Sequence, residues 1–176
     1  TGKTDGYFTN QAIKILMPER LRTFESGLRA VGYGPQIDEL VLGMNRAAEL
    51  APPQAKPIFF DAIGGMSFDD ARQILNGGDT AATQYFKAKT TPRLTTAFRP
   101  VVEQSMSQVG VSRQYKDLVS RFDAIPFAKS HAFDLDGYVV DKGLGGLFVV
   151  LGEQERQIRT DPAARATDLL REVFKR

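Results

Sequence analysis

Between residues 134 and 159 the apolar side chains do not keep to one side of a helix. Tyr138, Val139, Leu144, Leu147, Phe148, Val150 and Leu151 cover more than one face. Such a helix is at home only where other elements wrap its middle. The stretch therefore predicts a long buried helix at 134–159 with the rest of the chain packed around it. Gly143, Gly145 and Gly146 each cost about 1 kcal/mol of helix propensity relative to alanine. That cost is tolerable where neighbouring helices approach closely. The same glycines lack the spacing and βαβ setting of a dinucleotide fingerprint.

Amphipathic segments with helix punctuation supply the wrapping. Pro18 suits the start of a helix with Leu21, Phe24, Leu28 and Val31 inward, ended by Gly32 and Gly34. Residues 35–51 place Ile37, Leu40, Val41, Met44, Ala47, Ala48 and Ala51 on one face. A helix near Pro57 turns Ile58, Phe59, Ala62 and Ile63 inward until Gly64 and Gly65. Ser67 and Asp70 form the two ends of a capping-box pattern for a helix over 67–76, packed through Phe68, Ala71 and Leu75. Further helices are expected at 79–89, at 92–110 after a Thr91 cap, from Ser112 to Phe122, and from Asp161 onward. Ahead of them, Ile13, Ile15 and Met17 alternate with Lys14 and Leu16, as in a short extended segment. The expected architecture is all-α: an irregular N-terminal arm over 1–17, then one compact bundle of about eight or nine helices over 18–176.

Composition removes several function classes. A net charge of +2 with 25% charged residues gives no basic stripe of the kind nucleic-acid binders carry. Without cysteine there is no disulfide or thiol chemistry. The most apolar run, 143–152, is half the roughly 20 residues that a membrane-spanning helix needs. The chain starts at Thr1 rather than Met, so removal of an upstream segment is expected. Thr1-Gly2-Lys3-Thr4 imitates the end of a phosphate loop but lacks the strand and earlier glycine that motif requires. Asp134, Asp136 and Asp141 lack the loop length of a calcium site, so Asp134 and Asp136 read as helix N-terminal charges and no metal is expected. A lone histidine, His131, in the irregular link over 123–133 has no second group to orient it. No cofactor is implied, and no catalytic constellation emerges.

One stretch gathers polar chemistry, the turn and helix start over 76–86. Gly77 and Gly78 suit a left-handed helix end, and Asp79 is placed to cap the next helix. Tyr85, Phe86 and Lys89 share a face with Ala82. From Thr80 to Val102 there are four basic residues, Lys87, Lys89, Arg93 and Arg99, and no acidic one. The candidate ligand-binding set is therefore Asn76, Gly77, Gly78, Asp79, Thr80, Thr83, Tyr85, Phe86, Lys87 and Lys89. An aromatic wall beside cations suits an apolar group with an anionic head. The plain structural alternative is a helix–loop–helix joint whose amides Asp79 already occupies.

Asn45-Arg46-Ala47-Ala48-Glu49, the 76–86 turn, Leu144-Gly145-Gly146-Leu147-Phe148 and Asp161-Pro162-Ala163-Ala164 together resemble a bacterial family, domain of unknown function 4197. The resemblance runs in order from about Tyr7 to Phe174. Gly145 departs from it, standing where the family is expected to carry an acidic residue, so no role for that carboxylate carries over. The resemblance implies an exported, mostly helical protein of the Gram-negative periplasm, whose N-terminal signal would account for the absent Met. The leading functional expectation is a non-enzymatic binder of an amphipathic small molecule, lipid or envelope protein. Its rivals are a hydrolase or transferase using Asp79, Tyr85 and possibly His131, and a structural or oligomerising envelope module. The oligomeric state is left open.

Overall fold

The computed structural model describes residues 1–124 and 133–174. His131 and Pro126 lie outside the described residues. The α-helices are α1 (Arg22–Ala30), α2 (Gly34–Leu50), α3 (Ala55–Gly64), α4 (Phe68–Asn76), α5 (Ala81–Gln108), α6 (Val111–Asp123), α7 (Leu135–Thr160) and α8 (Asp168–Val173). Short 3-10 turns lie at Glu19–Leu21, Pro52–Gln54 and Pro162–Ala164, and no strand occurs among the described residues.

The helices expected at 79–89 and 92–110 are one. α5 runs straight through Pro92 and Pro100, and Thr91, expected as a cap, bonds back to the Lys87 carbonyl at 2.6 Å. Each proline removes a ladder hydrogen bond, from the carbonyls of Ala88 and Thr96. Both prolines and both of these residues are exposed, so water can satisfy the freed oxygens. The opposite face buries Thr90, Leu94, Phe98, Val102 and Met106, which holds the helix together where propensity alone would break it.

The long helix expected at 134–159 is α7, capped by Asp134, whose side chain accepts from the Gly137 amide at 2.8 Å. It shares the centre with α5. The two pack along each other and both contact α2, while α5 also carries α3, α4 and α6. One core joins Ile37, Leu40 and Met44 of α2 to Leu94 and Phe98 of α5 and to Val139, Leu144 and Phe148 of α7.

Residues 1–18 form no helix yet belong to that core. Tyr7, Ile13, Ile15 and Met17 are buried. Asn45, fully buried on α2, gives its amide to the Ile15 carbonyl (2.8 Å) and accepts from the Ile15 amide (2.9 Å). A side chain thus imitates a neighbouring strand, which an extended segment inside a helical protein otherwise lacks. Glu49 accepts from the Tyr7 and Phe8 amides and pairs with Arg46 at 2.8 Å; Arg46 in turn reaches Asp5. The Tyr7 hydroxyl donates to the Gly143 carbonyl, and burial together with the Glu49 charge pushes its pKa well up. A Cβ on Gly146 would lie 2.5 Å from the Tyr7 ring, so this glycine makes room for the arm. Gly143 meets Ala48 closely, whereas Gly145 faces open space.

Several residues expected in helix stripes lie outside the core. Val31, Ile63 and Leu75 are exposed, and Phe68 is 94% exposed. α3 and α4 are short and lie on the outside of the bundle, so their apolar positions outnumber the core surface available to them.

Candidate functional site

The turn between α4 and α5 is held by α7 rather than by its own residues. The first free amides of α5, on Ala82 and Thr83, donate to the Glu155 carboxylate at 2.8 and 2.7 Å, and the Thr83 hydroxyl adds a third bond at 2.7 Å. Asp79, expected to cap, does not: Thr80 occupies the cap position without a side-chain capping bond, and Asp79 lies 4.0 Å from the Arg156 guanidinium. One turn along α7, Arg159 pairs with Glu155 at 2.9 Å and donates to the Ile74 carbonyl at the end of α4 at 2.7 Å. A single i,i+4 pair thus puts negative charge on one helix N-terminus and positive charge on the neighbouring C-terminus, the favourable sense for both dipoles. Glu155 and Arg159 are only 11% and 9% exposed, so the pair is little screened by solvent. Burial alone would raise the Glu155 pKa. The hydrogen bonds from Thr83, Ala82 and Arg159 outweigh it and bring the pKa below the ordinary glutamate range.

Neither glycine of the turn is left-handed. Among the described residues positive φ falls on Asp5, Gly32 and Gly110, while Gly77 is extended at φ −80°, ψ 179°. Gly77 is required for space: a Cβ there would lie 2.6 Å from that of Ala81 and 2.8 Å from the Gln73 carbonyl. Gly78 meets nothing within 4 Å.

Two clefts flank the clasp and divide the candidate residues. A polar cleft of about 540 Å³ takes Asn76, Gly77 and Asp79 from the turn, Arg159 and Arg165 from the end of α7 and beyond, and Phe174 from the C-terminal segment. A more apolar groove of about 380 Å³ lies between α5 and α7. Thr80, Thr83, Gln84 and Lys87 form its α5 wall; Gly145, Phe148, Val149 and Gly152 form its α7 floor, with Glu153 and Arg156 at the rim. A Cβ on Gly152 would touch the Thr80 and Thr83 methyls at 3.4 and 3.7 Å, whereas one on Gly145 would meet nothing within 4 Å. The groove is therefore narrow beside the Glu155 end and open at Gly145.

The remaining candidates are elsewhere. Phe86 packs on Phe59 with ring centroids 5.3 Å apart, and Phe59 in turn meets Phe148, so Phe86 lies behind the groove floor. Tyr85 stacks edge-on against Phe86, beneath the Lys89 ammonium, and lines neither cleft. The basic run is also largely spent. Arg93 pairs with Asp61 at 2.6 Å, Arg99 faces Glu103 and Asp134, and Lys89 lies over the Tyr85 ring; Lys87 and Lys89 have no ion pair among the described residues. Among those residues no group of three His, Cys, Asp or Glu could hold a metal ion, and no helix is long and apolar enough to cross a membrane.

The site residues that α7 and the segment after it supply, among them Glu155, Arg159, Gly152, Phe148, Val149 and Arg165, are those that reasoning from the sequence missed. Glu153-Gln154-Glu155-Arg156 reads as a polar helix end emerging into solvent, and this holds for the exposed Glu153, Gln154 and Arg156 but not for Glu155. The i,i+4 spacing of Glu155 and Arg159 was the available signal.

No curated protein and no solved structure matches this chain. The family model described as Protein of unknown function (DUF4197) matches residues 1–175. That span includes every motif on which the resemblance was read, from the arm-binding Asn45–Glu49 stretch to the α4–α5 turn and the glycines under Tyr7. The chain is a member of the DUF4197 family.

Proposed function

We propose that this protein is a non-enzymatic binder, and that an amphipathic molecule with an anionic head lies in the groove between α5 and α7. The observation that carries the reading is the groove itself: it is narrow beside Gly152, where Glu155 ties α7 to the start of α5, and open at Gly145, with Phe148 and Val149 on its floor and Lys87, which has no ion pair among the described residues, in its α5 wall. Its volume is within the roughly 300–1,000 Å³ range of small-molecule sites. Apolar contact supplies affinity, and the Lys87 and Arg156 cations orient the head.

Native mass spectrometry of protein purified from its own cells, followed by solvent extraction, tests this. Gly145→Leu is the companion variant, since leucine favours the helix and its side chain would project into the groove. An amphiphile bound stoichiometrically to the wild type and absent from Gly145→Leu is the expected result. Equal occupancy of both proteins, or of neither, overturns the assignment.

The periplasmic location rests on the family resemblance, and release of the protein with the soluble periplasmic fraction on osmotic shock checks it. The hydrolase or transferase reading finds little support in the placement of its residues, because Asp79 lines the polar cleft and Tyr85 lines neither. The oligomerising reading has an observation of its own, the exposed Phe60, Ile63 and Phe68 of α3 and α4. It requires a mass that rises with concentration and falls back in Phe60→Ser/Phe68→Ser.

A further inference from the structure

The polar cleft on the other side of the clasp has a different chemistry from the groove. Arg159 uses Nε on Glu155 and Nη2 on the Ile74 carbonyl, and its guanidinium lies 5.3 Å from the centre of the Phe174 ring. Arg165 uses Nε on the Ile158 carbonyl and Nη2 on the Arg159 carbonyl, at 3.0 and 3.1 Å. Both guanidinium groups are thereby fixed, and the Nη1 of each has no protein partner among the described residues. Fixed donors are what carboxylate recognition needs, because little side-chain freedom is left to lose on binding.

A bare anion is nevertheless a poor match. Asp79 stands on the same cleft, 60% exposed, and at 4.0 Å its contact with Arg156 is too long to use up its acceptor capacity. The C-terminal carbonyls of α4 and α7 add negative potential there. The cleft therefore offers cationic donors and an anionic acceptor within one space, between apolar walls from Leu75, Val173 and Phe174.

We propose that this cleft binds a small zwitterion of the free amino-acid type. Its carboxylate meets Arg159 and Arg165, its ammonium meets Asp79, and an apolar side chain lies against Leu75 and Phe174. This goes beyond the α5–α7 groove and does not depend on it.

Calorimetric titration with leucine tests the proposal, with isocaproate and isoamylamine as the probes that keep only one of the two charges. Leucine is expected to bind saturably, and each single-charge probe at least about tenfold more weakly. Arg165→Gln is expected to abolish leucine binding. Asp79→Asn, a change at an exposed side chain that leaves folding intact, is expected to let isocaproate bind as well as leucine. Gly145→Leu should leave all of these titrations unchanged, which separates this cleft from the groove. No saturable heat with leucine, equal binding of leucine and isocaproate to the wild type, or unchanged binding in Arg165→Gln and Asp79→Asn would each overturn the proposal.

Discussion

Replacing Glu155 with alanine removes more than a surface charge. Three hydrogen bonds to the start of α5 disappear, and Arg159, which is no less buried, keeps only the Ile74 carbonyl and the Phe174 ring. Hydrogen bonds to charged groups contribute about 1.5–3 kcal/mol each and do not add fully within one cluster. Removing one partner of a buried pair costs about 3–5 kcal/mol, because the other charge is left without compensation. Arg159 retains two contacts, so the lower end applies, and Glu155→Ala is expected to lose about 3 kcal/mol. Glu155→Gln keeps one acceptor oxygen but turns the other into an NH2 that faces donors, so it sheds the charge and the bonds on one side, for a loss of about 2–3 kcal/mol. Urea unfolding measures both as midpoint shifts with an unchanged slope. Native-state hydrogen exchange localises the loss, with the Ala82 and Thr83 amides losing protection ahead of the core of α5. A loss under about 1 kcal/mol in Glu155→Ala, with those amides still protected, would refute the clasp.

Other consequences follow from the same packing. Asn45→Ala leaves the Ile15 amide and carbonyl buried without partners, and about 2–4 kcal/mol of stability should go, together with exchange protection at Ile15. Gly77→Ala forces its methyl against Ala81 and the Gln73 carbonyl and should cost about 1–3 kcal/mol, whereas Gly78→Ala meets nothing and should be neutral or stabilising by up to about 1 kcal/mol; thermal melts distinguish the pair. Because the Glu155 pKa is depressed by folding, its contribution is present above the unfolded glutamate value and is lost as pH falls through the lower folded value. Urea midpoints followed through that acid range should fall more steeply for the wild type than for Glu155→Gln.

Periodicity and caps were legible in the sequence because they are local. The Ser67–Asp70 capping box forms as read, Asp134 caps α7, and Ile13, Ile15 and Met17 are buried in alternation with the more exposed Lys14 and Leu16. The break expected at Pro92 was wrong for a tertiary reason: exposure on one face and a buried stripe on the other outweigh the local cost of proline. The turn failed similarly. Asp79 has the right residue type and place for a cap, yet a carboxylate from α7, more than 70 residues downstream, holds those amides. No local pattern distinguishes the two. Gly77 and Gly78 look equivalent in sequence and differ only in whether Ala81 stands opposite. The candidate binding set split for the same cause, because α5 presents Thr83 and Lys87 to one neighbour and Phe86 to another.

The central claim is that the groove between α5 and α7 receives an amphipathic anion, and amide chemical-shift mapping with dodecanoate tests it most directly. Shifts concentrated at Thr83, Lys87, Gly145, Val149 and Gly152, and abolished in Gly145→Leu, are the predicted result. Shifts confined to α3 and α4 around Phe60, Ile63 and Phe68, or none at all, would contradict it.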